Sequence, residues 1–278
     1  MPTQDVYKRQ GAGGESLNTV EPTTVNTQTL TAGLTMQLTA NMLNTLRGNY
    51  STQYSALTDR MDTFGGAVPL SPSLILGSLP SASNYAYFYT YDIPEFASGP
   101  QARNRTRQMN IVDGLSLTEG AHTFKFGLDE RALFLDVATP NYGVGFQSPS
   151  VQSFLSSGTV SVSTEISAPV ELLAESFSLY AQDTWKLSRK LTLTYGVRWE
   201  VIPAPSPRGA TTLAAWEDVA TPAQLALAPS GTPVWSTTYG NFAPRVGVAY
   251  APGKDGRFVI RAGAGILDVY KRQISFFA

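Results

Sequence analysis

The sequence predicts an all-β protein: a portion of an antiparallel up-and-down transmembrane β-barrel, about eight strands in four hairpins with long extracellular loops. Three observations carry that reading. Leu191, Leu193, Tyr195, Val197, Trp199 and Val201 share one face of a strand, while Thr192, Thr194, Gly196, Arg198 and Glu200 share the other. Rising about 3.3 Å per residue and tilted by about 45°, that strand covers about 25 Å, the height of an outer-membrane apolar band. No run of about eighteen apolar residues occurs, which excludes a transmembrane helix but not a barrel. Finally, short turns alternate along the chain with long connections, as they do between periplasmic turns and extracellular loops.

Composition narrows the function classes. The chain has 278 residues, 42% hydrophobic and only 15% charged, with no cysteine and one histidine. Disulfide frameworks, thiol nucleophiles and zinc fingers are excluded. His122, beside a turn and with no second imidazole, makes a poor metal site and cannot complete a catalytic triad. No catalytic, cofactor or metal residue is therefore assigned, and an enzyme is not expected.

The hexapeptide DVYKRQ occurs twice, at Asp5 to Gln10 and at Asp268 to Gln273. An exact repeat without similarity around it is not a structural repeat. It resembles the translation of the transposase end sequence used to fragment DNA for sequencing libraries. Residues 1–10 and 268–278 are accordingly read as foreign, with 11–267 as the native barrel segment. Each copy carries one acid and two bases, so leaving both out moves the formal charge from -1 to -3. A mildly acidic segment gives no reason to expect nucleic acid.

In order, Gly11 to Asn26 reads as a leading loop, whose GAGG lacks the strand and GK[ST] context of a phosphate loop. The first strand, Thr29 to Thr39, sets Leu30, Ala32, Leu34, Met36 and Leu38 on one face. After a turn at Ala40-Asn41 the second, about Leu43 to Tyr54, sets Leu46, Tyr50 and Tyr54 against Arg47 and Asn49. Ser55 to Arg105 is a long connection, with aromatics at Tyr85, Tyr87, Phe88, Tyr89 and Tyr91 expected to pack the loop on itself. The next hairpin, Thr106 to Phe134, turns at Glu119-Gly120-Ala121 and sets Phe124, Phe126 and Leu128 opposite Lys125, Gly127, Asp129 and Arg131. Asp113 falls on its apolar face, which suits a barrel only near an interface.

A second connection, Leu135 to Ala174, precedes the hairpin Glu175 to Ile202, which turns at Ser188-Arg189. Its partner connection, Pro203 to Asn241, opens on PAPSP, which cannot continue a central strand, and holds TPAQLALA, expected as a short helix. The last hairpin pairs Phe242 to Tyr250 with Arg257 to Ile266 across Lys254-Asp255-Gly256.

At YAQDTWKLSRKLTLTYGVRWE, NFAPRVGVAYAPGKDGRFVIRAGAGI and GAHTFKFGLDER the sequence resembles the barrel of TonB-dependent receptors, particularly the Oar-like group with a carboxypeptidase-regulatory-like N-terminal domain. The resemblance implies an outer-membrane barrel of about 22 strands closed by a plug and energised through a TonB box. It covers most of Thr106 to Ile266. No plug or TonB box is recognisable, so an internal barrel fragment is expected, set in outer-membrane lipid and serving an unknown transported ligand. Candidate lumen-facing residues are Lys125, Asp129, Arg131, Arg198, Glu200, Arg245 and Arg261, with ion pairs between strands as the simpler role for each. The alternatives are a complete small eight-stranded structural barrel, whose first strand would pair with its last, and a soluble β-rich binding or adhesion domain.

Overall fold

Threonine and other β-formers alternate with apolar residues over most of the chain, and the backbone follows them into extended structure. The computed structural model describes residues 16–69, 71, 76–78, 83–253 and 258–266. Its strands are β1 (Thr19–Val20), β2 (Thr23–Thr39), β3 (Met42–Met61), β4 (Asn84–Thr90), β5 (Phe96–Glu119), β6 (His122–Ala138), β7 (Tyr142–Ser148) and β8 (Ser161–Ile166). They continue with β9 (Val170–Lys186), β10 (Leu191–Val201), β11 (Ser206–Pro207), β12 (Trp216–Glu217), β13 (Ala226–Leu227), β14 (Phe242–Tyr250) and β15 (Ile260–Gly265), and one helix, α1 (Val151–Ser157), lies between β7 and β8. No helix among the described residues is long and apolar enough to cross a membrane.

A single wall runs β2-β3-β5-β6-β9-β10-β14-β15, every neighbouring pair antiparallel. Its hairpins close tightly. Thr39 donates to the Asn41 side chain at 2.7 Å beside the first turn, Gly120 takes φ 58° in the second, and Ser188 N–H donates to Leu191 O at 3.1 Å in the third. The fourth turn, Lys254-Asp255-Gly256, lies outside the described residues, as do Arg257, Leu267, the GAGG segment and both hexapeptides.

Several expectations are corrected. The wall does have eight strands in four hairpins, but the whole chain has more strands than that. Thr23 to Asn26 belongs to β2 instead of a leading loop, because its threonines continue the alternation and pair with Tyr54 to Leu57. β3, β5, β6 and β9 outrun their expected bounds, reaching 20, 24, 17 and 17 residues. A tilted strand needs about 9–11 residues to cross the bilayer, so these project well past it at the long-connection end. The last strand is shorter than expected, beginning at Ile260. TPAQLALA forms a single 3-10 turn at Pro222–Gln224, after which β13 pairs with β12. Among the described residues β2 pairs with β3 alone and β15 with β14 alone, so the closure that a complete eight-stranded barrel requires is not formed.

The long connections also carry structure. β4 pairs with the top of β5 and, in parallel, with β7, which in turn pairs with β8. This layer encloses Leu76, Ala86 and Val144, with Tyr142 and Phe146 packed against them. The aromatics of the first connection therefore pack across onto the second. Phe88 meets Phe154 of α1 edge-on at 5.2 Å, Tyr87 meets Ser163 at 3.4 Å, and Gln147 donates to the Tyr91 hydroxyl at 3.1 Å. Helix α1 is capped by Ser150, which accepts from Ser153 N–H, and Asp92 accepts from Val151 N–H.

Gly99 is where β5 leaves β3 for β4. It holds φ 119°, and a Cβ there would collide with the Asn84 carbonyl. Replacing it with alanine adds about 1–2 kcal/mol of left-handed strain to that collision. We expect Gly99→Ala to detach β4 and speed protease cleavage within 62–95, while wall strand content by circular dichroism stays unchanged.

Candidate functional site

Residues directly opposite in an antiparallel pair share a face, so the register carries two faces across the wall. One row reads Leu46, Asp113, Leu128, Leu179, Trp199 and Phe242; the neighbouring row on the other face reads Arg47, Val112, Asp129, Ser178 and Glu200. The first face leaves Leu30, Leu34, Met109, Ile111, Leu179, Val246 and Ile260 exposed, Leu30 by 70% and Met109 by 50%. Among the described residues the buried hydrophobics are just Leu76, Ala86, Ala97, Val144 and Val201. A water-soluble sandwich would bury such a face between two sheets. Here it stays uncovered, so the soluble alternative fails and the apolar face is the one that lipid covers.

Two acids on that face are hydrogen-bonded by neighbours. Asp113 lies within the apolar band instead of at an interface, and the Asn44 amide beside it donates to its carboxylate at 2.8 Å. Near the short turns Asp183 is buried, with His122 Nδ1 at 2.7 Å and the Tyr195 hydroxyl donating at 2.8 Å to the same oxygen. The His122 ring stacks 5.1 Å from Trp185 and 5.5 Å from Phe124. An aromatic girdle results, enclosing an acid whose Oδ2 is hydrogen-bonded twice while its Oδ1 is buried without a partner. Sequence reasoning missed this cluster, although Asp183 has the parity of Phe177, Leu179 and Ala181.

All seven candidate residues, Lys125, Asp129, Arg131, Arg198, Glu200, Arg245 and Arg261, fall on the polar face. Arg198 and Glu200 lie 3.5 Å apart within one strand, so that pair braces no neighbour. Asp129 instead accepts from the Asn110 amide of β5 at 2.6 Å, and Asn49 reaches Thr31 of β2 at 2.7 Å. Lys125, Arg131, Arg245 and Arg261 form no ion pair among the described residues. Tyr180 lies across Gly127, where any Cβ would strike its ring.

Beyond the bilayer the faces exchange character. Leu133, Leu135 and Val137 oppose Ala174, Leu172 and Val170 on the otherwise polar face, while Arg103, Arg105, Arg107, Asp136 and Glu171 occupy the other. At the same end Asp59 is buried and accepts from the Gln101 amide. Glu95 sits nearby, its pKa raised by burial and then by the Asp59 charge. Among the described residues no three acids or histidines converge as a metal site.

A wall of alternating strands with one lipid-compatible face, one polar face and extended structure above it defines an integral β-barrel membrane protein. The sequence profile of the outer membrane beta barrel domain family matches residues 3–276, and the chain belongs to that family. Its place is the cell outer membrane. Among curated proteins none matches the chain.

Two outcomes follow. Ile111→Arg, on the apolar face, should cost about 2–4 kcal/mol in lipid vesicles by urea unfolding, whereas Arg131→Ile on the polar face should stay within about 1 kcal/mol. The raised Glu95 pKa means the folded upper layer holds that proton more tightly than the unfolded chain. Its contribution is full below the ordinary glutamate range and is lost as pH rises through the folded pKa. Amide exchange at 84–98 should therefore quicken from pH 4 to pH 8, and Glu95→Gln should flatten that dependence.

Proposed function

We propose that this chain is part of the wall of a TonB-dependent receptor, an outer-membrane transporter whose plug and TonB box lie elsewhere in a longer protein. The observation that carries this reading is the eight-stranded wall with both edges unpaired among the described residues. Unpaired backbone cannot persist in hydrocarbon, so further strands must complete the barrel. The resemblance at YAQDTWKLSRKLTLTYGVRWE and at NFAPRVGVAYAPGKDGRFVIRAGAGI supports the same family.

In this reading the long connections face outside and the short turns face the periplasm. The polar face lines the lumen, and Lys125, Asp129, Arg131, Arg198, Glu200, Arg245 and Arg261 meet water there. The cations Lys125, Arg131, Arg245 and Arg261, which form no ion pair among the described residues, set the sign of the field that a passing substrate meets. The wall positions and conducts, and it needs no catalytic group. Residues 1–10 and 268–278 are read as adapter-derived, on the strength of the repeated DVYKRQ.

Sequencing the source DNA across both DVYKRQ junctions tests the proposal. We expect the hexapeptides to vanish and a reading frame to continue into a plug, a TonB box and further alternating strands. A native frame bounded at these positions, with no plug, would overturn it.

A further inference from the structure

We propose that the free edge of β8, at the end of the layer above the wall, pairs with the same edge of a second copy of this chain. The two strands run antiparallel about a two-fold axis through Thr164. The inference goes beyond transport, since it concerns how copies meet and not what they conduct.

The layer runs β5-β4-β7-β8, and among the described residues β8 pairs with β7 alone. Its register shows which backbone groups are left over. Ser167 N–H donates to Asn141 O at 3.3 Å, which makes residues 141 and 167 a hydrogen-bonded pair. Such pairs alternate along an antiparallel ladder. Glu165, Ser163 and Ser161 therefore turn their N–H and C=O groups to β7, while Ile166, Thr164 and Val162 turn theirs outward.

An unpaired edge is a template for another strand, and proteins commonly blunt it with proline, lysine or an inward-pointing charge. The sequence SVSTEI has none of these, and all six of its residues are exposed. Val162, Thr164 and Ile166 are β-branched and lie opposite Phe146, Val144 and Tyr142, on the face that holds the small core around Leu76 and Ala86. That face runs out uncovered at the edge, with Val162 57% and Ile166 84% exposed.

The occupant is a second copy because the strand is complementary to itself. With Thr164 opposite Thr164, Val162 falls opposite Ile166 and Ser163 opposite Glu165. The residues whose backbone faces outward then pair in register, each donating once and accepting once, and apolar β-branched side chains meet on one face. Glu165, the one charge in the strand, meets the hydroxyl of Ser163 and not a second acid. Centring the pair on Ser163 instead would set Val162 opposite Thr164 and leave Ile166 without an apolar partner. An isologous pair of this kind closes on itself, using up both free edges.

The chain has no cysteine, so one introduced thiol reports the contact by itself. The test uses the protein extracted from outer membranes in mild detergent, where two barrels can take either mutual orientation. On mild oxidation Thr164→Cys should form a disulfide-linked dimer, because Cα atoms in a hydrogen-bonded antiparallel pair lie about 5.5 Å apart, within the span of about 4.4–6.8 Å that a disulfide bridges. Ser156→Cys, also exposed but on α1 and off the edge, should stay monomeric. Thr164→Pro removes an N–H that points outward and keeps the ladder to β7. It should weaken dimerisation about tenfold or more, read by light scattering over a concentration series, since each dimer loses two backbone hydrogen bonds. The inference is overturned if Thr164→Cys cross-links no faster than Ser156→Cys, or if Thr164→Pro associates like the unaltered protein. Capture of a different protein by Thr164→Cys overturns it too, by showing another chain on this edge. If Thr164→Pro does not fold, as judged by heat-modifiable gel mobility, the two cysteine variants decide alone. No readout involves plug or TonB, so the transport reading stands or falls separately.

Discussion

Hydrocarbon gives a backbone N–H or C=O nothing to bond, and that requirement governs this wall. Each strand of β3, β5, β6, β9, β10 and β14 is paired on both sides, so its ladder is complete without water. Side chains are then free to differ by face. The hairpin turns are short because strands paired so continuously need almost no chain to reverse, and the resulting register passes one face intact from β2 to β15.

Once the backbone is satisfied, the remaining cost is polarity on the lipid side. Asp113 and Asp183 would be expensive there as isolated carboxylates. Both are met by donors on the same face of the adjoining strand, Asn44 for one and Tyr195 with His122 for the other. Asp183 also lies among Trp185, Phe124 and Tyr195, aromatic residues whose amphipathic rings suit the membrane boundary. Charge is thus admitted to the apolar face where a partner sits one strand away.

Past the membrane the same strands meet water on the outside, and their chemistry reverses accordingly. Arginines and carboxylates take over the outer face of β5, β6 and β9, while Leu133, Leu135, Leu172 and Val170 turn inward. The first two connections use this extension as a platform. β4 joins the end of β5 and recruits β7 in parallel, enclosing a small apolar core of its own. The membrane wall and the layer above it are therefore continuous through β5.

Alternation by itself determined the wall. A period of two fixes which residues share a face, and Asn41, Gly120 and the polar pair Ser188-Arg189 fix where the chain reverses; β10 and β14 keep the very bounds that the pattern gives. The same parity put Lys125, Arg198, Arg245 and the other candidate residues on one side. What tertiary structure decided lies at the long-connection end. Leu133 and Leu135 break the earlier parity, so a local pattern stops the strand at Phe134, although pairing with β9 carries it on to Ala138. β4 and β7 stand far apart in the chain and join through parallel bonds that no local pattern encodes. Arg107, Asp136 and Arg208 come together from three separate segments for the same reason. Periodicity is a property of neighbours along the chain, while these contacts depend on which strands fold beside each other.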